Sequence, residues 1–236
     1  MISIIIPALN EGRVLPRTLD SVFAQSYQDI EVIYINDAST DNTDEAIKPY
    51  LDRVTYSKHE KNVDKQITRN EGIALAKGEY LFVCDADVFL RPDCLEKMFK
   101  ALQEHPECSF AYSGFKWEWK IFKSFPFDFE RLKKMNYINM ASLVRKKDHP
   151  GFDPTIRKFQ DWDVWLTLAL QGKKGYYIPE ILYSTGENLN RQIRAGLSKW
   201  LPSFVYRIPW KIFGIKISAV EKYERGVEAI KSKHHI

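Results

Sequence analysis

Two aspartates one residue apart, Asp85 and Asp87, follow directly after a short apolar run in the sequence. Carboxylate oxygens are the ligands that hard divalent cations prefer. Because alternate residues of a strand point to the same side, we expect both carboxylates to face one cation. The carboxyl end of a strand in an open α/β sheet is also where such a sheet binds its ligand. The pair therefore predicts a cation site, and the competing interpretation is a polar strand end that leads into a turn.

Polar residues also follow two earlier predicted strands. The first strand leads into Pro7, Ala8, Asn10 and Glu11. The second leads into Asp37, and small residues separate the polar ones in each segment. In a parallel sheet these strand ends and the Asp85 segment all lie along one edge, where a ligand can approach the backbone.

Arg69, in the third predicted helix, is a candidate for holding phosphates at this edge. The sequence has neither a G-x-G-x-x-G loop nor a P-loop. Phosphate groups would then be held by a metal and by basic side chains. The alternative for Arg69 is an ordinary exposed arginine on a helix surface.

Asp161 stands at the start of another predicted helix and is followed by Trp162. The helix dipole stabilises a carboxylate at this position in its charged form. A carboxylate beside apolar walls and a substrate hydroxyl can act as a general base. The alternative is an N-terminal cap, a position where aspartate is common.

The elements that must position these residues alternate between two periodicities over the first hundred residues. Runs rich in β-branched and aromatic residues predict strands, and i, i+3, i+4 spacing of apolar residues predicts helices. The predicted strands are 2–6, 30–35, 54–57 and 80–84, and the predicted helices are 15–23, 41–51, 65–77 and one that opens at Pro92. This alternation predicts a mainly parallel sheet with helices on both faces.

The pattern changes after about residue 110. Residues 110–119 have strand character, and residues 116–147 are dense in aromatic and basic side chains. This dense stretch is either a flap or acceptor-facing surface, or a solvated connection. A helix over 161–171 and a strand over 178–184 follow.

Length and composition limit the class of protein. The 236 residues, 44% of them apolar, are enough for one large domain or two closely joined lobes with a sizeable core. Three cysteines in no metal-site spacing predict a reduced interior compartment. The first residues read as a strand and not as a signal peptide. No run of about 18 apolar residues occurs, so we expect no membrane-spanning helix.

Basic charge is concentrated at the end of the chain. Residues 191–236 carry ten Lys or Arg and three Glu, whereas the preceding residues have a slight acidic excess. Within 196–217, lysine and arginine alternate with Trp and Phe, and Pro202 and Pro209 preclude one continuous helix. Such a segment either contacts an anionic membrane surface or packs on the rest of the chain. No nucleic-acid-binding motif accompanies the charge, so we expect no nucleic-acid partner.

Six segments taken together carry a resemblance to a known family. They are residues 3–11, 35–43, 69–80, 85–87, 151–153 and 160–163. In this order and with these gaps, the chain resembles a family 2 glycosyltransferase with the GT-A fold, over roughly residues 1–190.

The resemblance implies a Rossmann-like α/β domain whose mixed, mainly parallel sheet is flanked by helices. Residues 1–110 would be the nucleotide-sugar-binding half, 111–190 the acceptor-binding half, and 191–236 a basic aromatic tail. The implied reaction is inverting transfer of one sugar from a nucleotide sugar, with UDP-sugars favoured, to a hydroxyl of a glycan or a lipid-linked acceptor. The implied location is the cytoplasm or the inner face of its membrane.

The resemblance also implies a role for each matching residue. Pro7, Glu11 and Asp37 would line the nucleotide together with Ala8 and Asn10, and Asp37 would hydrogen-bond the base. Arg69 would lie near the diphosphate. Asp85 would contact the ribose, and Asp87 would bind Mg²⁺ or Mn²⁺, with Ala86 between them and Asp85 as the second metal candidate. Asp161 matches the catalytic base.

The chain departs from the family in ways that affect function. Val88 and Gln160 stand where acidic residues are common, and no histidine occurs near Thr185. A Gln-x-x-Arg-Trp motif is absent, which favours transfer of a single sugar. Two other functions stay open: a non-catalytic module that binds a nucleotide sugar or glycan, and a sugar nucleotidyltransferase. The latter needs a glycine-rich basic loop, and here the first loop has only Gly12.

Overall fold

The computed structural model describes residues 1–186 and 218–236. Within these ranges the strands are β1 (Ile2–Ala8), β2 (Ile30–Asn36), β3 (Thr55–Lys58), β4 (Tyr80–Val83), β5 (Phe89–Leu90), β6 (Cys108–Trp117), β7 (Lys120–Phe122), β8 (Leu143–Arg145) and β9 (Lys174–Thr185). The α-helices are α1 (Leu15–Phe23), α2 (Thr43–Ile47), α3 (Lys65–Leu75), α4 (Cys94–Glu104), α5 (Phe129–Lys134), α6 (Gln160–Leu170) and α7 (Ser218–His234). Short 3₁₀ turns cover Lys48–Tyr50 and Lys146–Asp148.

One mixed sheet holds all nine of these strands, in the order β3-β2-β1-β4-β8-β6-β9-β5, with β7 paired to β6. The strands β1 to β4 run parallel to their neighbours among themselves. The antiparallel β8 joins this half to β6, which is parallel to β9. The predicted α/β fold with a mainly parallel sheet and flanking helices is confirmed.

Both faces of the parallel half are covered, which explains the unbroken apolar runs of its strands. Ile4 and Ile6 of β1 join a core with Leu15 and Leu19 of α1. Ile5, which points to the other face, joins a second core that includes residues of α6. Each such buried side chain contributes about 1.5–3 kcal/mol of transfer free energy. Burial on both faces therefore fixes the sheet edge where β1, β2 and β4 end.

Several elements differ from the sequence prediction, and β5, β7 and α5 were not predicted at all. The second helix ends at Ile47 and continues only as a 3₁₀ turn through Pro49, whose missing N–H and ring disfavour further α-helix. The prediction that Asp41 caps this helix was wrong, because Asn42 is the N-cap residue; the Asp41 carboxylate accepts a hydrogen bond from the Thr43 amide at 3.0 Å just before it. Strand β8 lies inside the stretch 116–147, where no strand was predicted after residue 119. Its partners come from β4 and β6, which are distant in sequence.

Helix α7 accounts for the last part of the basic tail. Its Ile230 is fully buried in the core that contains α6. Lys233 and His234 both contact the buried Asp163 of α6, at 2.8 and 2.7 Å. The segment 196–217, predicted either to contact a membrane or to pack on the domain, lies outside the described residues. None of the helices in the described parts of the chain has the length and apolar character needed to cross a membrane.

Candidate active site

Asp85 and Asp87 lie in the turn between β4 and β5. Strand β4 ends at Val83, and the Val88 amide donates to the Asp85 carbonyl at 3.1 Å. The prediction that a strand would carry both carboxylates on one side was therefore wrong, because strand alternation ends before Asp85. Asp85 stays partly exposed, and Asp87 is fully buried. The Ala86 carbonyl between them accepts a hydrogen bond from the Thr18 hydroxyl at 2.6 Å.

Two cations of α3 hold the Asp85 carboxylate. Lys65 Nζ lies 2.6 Å and Arg69 Nη2 lies 2.9 Å from the same oxygen, Oδ1. The two side chains are four residues apart and so project from one face of α3. Helix α3 approaches the sheet closely at Gly72, where a Cβ would clash with Ile5. The close packing of α3 brings its basic face to the end of β4.

Arg69 is only 3% exposed, so the alternative of a surface arginine was wrong. Its Nε and Nη1 atoms are buried, and neither has a hydrogen-bond partner in residues 1–186 or 218–236. A guanidinium carries five N–H donors in a planar fork that matches the oxygens of carboxylates and phosphates. Arg69 thus has unused donors inside the site.

The loops after β1 and β2 are tied to each other. The Ala8 carbonyl accepts from the Asp37 amide at 2.8 Å, and Pro7 is in register with Ile35. The Asn10 amide side chain accepts from the Thr40 amide at 2.7 Å. Glu11 is buried, and its carbonyl accepts from two amides at the start of α1 at 3.0 Å. The structure therefore places all the residues predicted at these two strand ends on one edge.

Asp37 is buried and hydrogen-bonded on both oxygens. Its Oδ1 accepts from the Val63 amide and faces His59 Nδ1, both at 2.9 Å, and its Oδ2 accepts from Asn62 Nδ2 at 2.8 Å. The other ring nitrogen of His59 lies 2.6 Å from Glu71 Oε2. Sequence reasoning missed His59, although it directly follows β3 and so obeys the same strand-end rule as the aspartates.

His59 is held between two carboxylates. Burial lowers the pKa of His59, but hydrogen bonds to Asp37 and Glu71 and their negative charges raise it more. The net result is a pKa above the ordinary value of 6.5. Both carboxylates thus favour the imidazolium form of His59 over what an exposed histidine would show, while Asp85 pairs with Lys65 and Arg69.

Asp161 lies in the first turn of α6, after Phe159, which adopts a left-handed conformation with φ of 62°. Its Oδ1 accepts from the Trp162 amide at 2.9 Å. Burial raises the pKa of Asp161 above its ordinary value, and this effect exceeds the opposing effects of Asn136, the Trp162 amide and the Arg69 charge. Desolvation of the carboxylate is therefore the largest influence on the pKa of Asp161.

Arg69 and Tyr183 connect Asp161 to the Asp85 turn. The positive charge of Arg69 acts on Asp161 as well as pairing with Asp85. The Tyr183 hydroxyl is buried without a hydrogen-bond partner among the described residues. Burial raises the pKa of Tyr183 well above its ordinary value, and the nearby Cys94, Asp161 and Cys84 raise it further. Sequence reasoning missed Tyr183, because nothing in its local sequence indicates an unsatisfied hydroxyl.

The segment 151–153 is fixed against α3. Asn70 accepts from the Phe152 amide and donates to the Phe152 carbonyl, each at 2.7 Å. The Arg69 guanidinium lies 5.0 Å from the centre of the Phe152 ring. His149 Nδ1 accepts from the Gly151 amide at 3.0 Å, and burial together with the Arg69 charge lowers the pKa of His149 to about 4. His149 is therefore neutral at physiological pH, and the sequence analysis did not single it out.

A metal held by protein groups alone is not supported by the described residues. In residues 1–186 and 218–236, no three His, Cys, Asp or Glu side chains form a group that could hold an ion. The candidate metal ligands remain Asp85 and Asp87.

Solved structures with the same fold define the class of protein. S. aureus TarS residues 1–349, in complex with UDP-GlcNAc, superposes with a TM-score of 0.66 at 18% identity, covering 79% of this chain and 58% of that one. The Pyrobaculum calidifontis mannosyltransferase PcManGT, in complex with GDP-Man and Mn²⁺, gives a TM-score of 0.66 at 19% identity, covering 84% of this chain and 59% of that chain. The fold is that of the GT-A glycosyltransferases.

The family follows from the sequence itself. The model of glycosyl transferase family 2 matches residues 3–159, and the chain belongs to this family. The putative teichuronic acid biosynthesis glycosyltransferase TuaG of Bacillus subtilis is 26% identical over 226 residues, covering 88% of this chain and 87% of that protein. Glycosyltransferase GlyG of Streptococcus pneumoniae is 32% identical over 107 residues, covering 44% of this chain and 36% of that protein. The chain thus spans only about a third of GlyG.

Proposed function

We propose that this protein transfers one sugar, with inversion, from a nucleotide sugar to a hydroxyl of a glycan or a lipid-linked acceptor. The observation that carries the proposal is the position of Arg69. Its buried guanidinium pairs with Asp85, acts on Asp161 and has donors that no described residue uses. A cation in this position can hold a leaving diphosphate next to a carboxylate that accepts a proton.

The donor would lie along the edge formed by residues 1–110. Pro7, Ala8, Asn10 and Glu11 would line the nucleoside. Asp37 would accept from the base, because its three hydrogen bonds leave about one lone-pair position free on Oδ2. Uracil N3–H fits that position, and the TarS complex with UDP-GlcNAc supports a uridine donor. Asp85 would contact the ribose.

Asp85 and Asp87 fit a divalent cation that is completed by substrate. Mg²⁺ is commonly held by one or two carboxylates together with substrate phosphates and water, so the absence of a third acidic group in the described residues is compatible with this chemistry. The Mn²⁺ complex of PcManGT supports the same proposal. A bound Mg²⁺ or Mn²⁺ would neutralise negative charge on the diphosphate.

Asp161 would be the general base. The acceptor hydroxyl oxygen forms a bond to the anomeric carbon from the face opposite the diphosphate, and the bond from that carbon to the diphosphate oxygen breaks. Asp161 takes the hydroxyl proton. Burial raises the pKa of Asp161, which makes it a stronger base than an exposed aspartate. Arg69 and Lys65 would hold the departing diphosphate.

Binding of the donor can be tested before the acceptor is known. Thermal unfolding is measured with UDP-sugars and GDP-sugars, each with Mn²⁺, Mg²⁺ or EDTA. A ligand that binds only the folded state raises the melting temperature, so we expect a metal-dependent rise with UDP-sugars. The variant Asp87→Asn should lose the metal-dependent part. If no nucleotide sugar raises the melting temperature of the wild type under any of these conditions, the proposal fails.

A further inference from the structure

The hairpin formed by the end of β6 and β7 carries an unusual surface. The two strands are joined by Glu118 and Trp119, and Glu118 has a φ of 53° that allows the tight turn. Lys116 is in register with Ile121, and Phe115 with Phe122. We use the name hairpin patch for Lys116, Trp119, Lys120, Ile121, Phe122 and Lys123.

The hairpin patch exposes large apolar side chains. Trp119 is 76% exposed and Ile121 is 62% exposed, the two highest values among the large apolar residues of the described chain. Phe122 beside them is 44% exposed. Single exposed apolar residues are ordinary, but three within four positions concentrate apolar side chains at the end of one hairpin, with Ile121 and Phe122 on its opposite faces.

The patch also carries uncompensated positive charge. Lys116, Lys120 and Lys123 form no ion pair with any residue in 1–186 or 218–236. The Lys120 ammonium lies 5.0 Å from the centre of the Trp119 ring, so charge and aromatic surface are directly adjacent. The acidic Glu118 is the one carboxylate between positions 116 and 123. The surface is therefore both apolar and basic.

Packing beneath the patch holds the hairpin in place. The Phe115 ring stacks on Phe122 with centroids 5.1 Å apart and on Tyr183 at 5.6 Å. The Glu118 amide donates to the Thr185 carbonyl of β9 at 3.0 Å. The exposure of Trp119 and Ile121 is thus a property of an anchored hairpin that continues the main sheet.

The hairpin lies at the same edge as the candidate active site. Lys116 and Phe89 are both in register with Ser184 of β9, one on each side. Asp87 precedes Phe89 by two residues, so it lies toward the same end of β9 as the hairpin turn. Because neighbouring strands are about 4.8 Å apart, β6 and β5 are separated by roughly 10 Å. A surface that the hairpin touches would therefore also face the Asp87 turn.

We propose that the hairpin patch docks the protein on an anionic lipid bilayer. Tryptophan and aliphatic side chains enter the interface between headgroups and acyl chains, while lysines stay at the anionic headgroups. A second copy of this chain would bring like charges together and does not fit. A soluble glycan would leave Ile121 and Phe122 in water. The inference does not depend on the sugar that is transferred, nor on transfer itself.

The first experiment is sedimentation of the full chain with vesicles of phosphatidylcholine alone or mixed with phosphatidylglycerol. We expect binding to the anionic vesicles only. The triple variant Lys116→Gln, Lys120→Gln, Lys123→Gln should weaken this binding by about fivefold per lysine. The double variant Trp119→Ala, Ile121→Ser should weaken it by at least about tenfold, because each removes apolar surface that would leave water.

Matched variants elsewhere on the surface control for general effects of charge and apolar area. Lys61→Gln, Lys77→Gln and Lys100→Gln remove the same charge, and Leu51→Ala removes another exposed apolar side chain. These variants should bind the anionic vesicles within about twofold of the wild type if the effect of each lysine depends on proximity to the bilayer. All variants change exposed side chains, so an unchanged melting temperature verifies folding.

A site-specific probe separates the hairpin from the basic segment 187–217. The three native cysteines are buried, so Trp119→Cys can be labelled selectively with an environment-sensitive dye. We expect a blue shift of the dye on anionic vesicles and none for the dye on Leu51→Cys. Sedimentation without a shift at position 119 would assign the contact to another segment and overturn the proposal. So would equal binding to neutral vesicles, or binding to soluble polyphosphate without binding to vesicles.

Discussion

The carboxylates at the two sides of the candidate site have opposite surroundings. At the strand ends, Asp85 contacts Lys65 and Arg69, and Asp37 contacts His59. On the α6 side, no Lys, Arg or His of the described residues forms an ion pair with Asp161. Asp161 instead receives a hydrogen bond from the Trp162 amide, and its partial burial raises its pKa.

This difference assigns different chemistry to one residue type. A carboxylate paired with a cation stays ionised and shapes a binding surface, but it is a poor proton acceptor. A desolvated carboxylate without a paired cation gains stability when it takes a proton. Asp163, two residues after Asp161 on the same helix, resembles Asp85 and Asp37 in this respect, because it pairs with Lys233 and His234. The surroundings of each carboxylate, rather than its secondary structure, decide its role.

The largest expected effect comes from removing the proposed base, Asp161, and its absence would break this comparison. Asp161→Asn keeps the shape of the side chain but cannot accept the proton. We expect turnover to fall by about 10²–10⁴-fold, while the donor-induced rise in melting temperature is retained. Single-turnover kinetics with a donor found by the thermal screen measure the change.

Asp163→Asn is the matched control for this substitution. It alters the neighbouring carboxylate, whose partners belong to α7, and should lower stability while turnover at a temperature well below unfolding changes little. Equal losses of turnover in the two variants would mean that α6 as a whole, and not Asp161, matters for the reaction.

A smaller effect is expected when the Asp85 turn loses its buried cation, Arg69. Arg69→Met should weaken binding of the nucleoside diphosphate by about 10–100-fold, the loss expected for hydrogen bonds to a charged group. Isothermal titration with UDP measures the affinity. Arg69→Lys, which keeps the charge but not the planar fork, should fall between the wild type and Arg69→Met.

Arg157→Met is the control for this test, because Arg157 is an exposed arginine that pairs with Asp64 at the start of α3. It should bind UDP as the wild type does. Unchanged affinity in Arg69→Met would remove Arg69 from the donor site and leave it a structural partner of Asp85.

The same comparison explains what the sequence could predict. The order of strands and helices along the chain can be predicted from the local sequence. That order places Asp37, Asp85 and Asp87 after strands whose ends lie along one edge of the sheet. The burial of Arg69 depends on how closely α3 packs on the sheet. The pKa of Asp161 depends on elements brought together from distant parts of the chain. These features arise from tertiary packing, which residue spacing does not encode.

A third test measures the stability that Lys233 and His234 contribute through their contacts with Asp163. Lys233 Nζ bridges Asp163 and Asp153, with 2.8 Å to each, and the Lys233 contact lowers the pKa of Asp153 to about 2. Lys233→Met should reduce the free energy of unfolding by about 1–2 kcal/mol, since His234 still pairs with Asp163. Urea unfolding measures the loss. Lys231→Met, on the exposed surface of α7, should cost less than about 0.5 kcal/mol, and equal losses would show that the bridge contributes nothing specific.

The smallest expected effect is a pH dependence at Asp37, whose cationic partner can lose its charge. The pKa of His59 is raised in the folded protein, so its stabilisation is fully present below the unfolded value of about 6.5 and is lost as pH rises through the folded pKa. His59→Gln should therefore be less stable than the wild type below pH 6.5, by a few degrees in melting temperature. The gap should narrow as pH rises above that value. A gap for His59→Gln that stays constant with pH would mean that His59 supports Asp37 as a neutral hydrogen-bond partner, and the contrast with Asp161 would then rest on Lys65 and Arg69 alone.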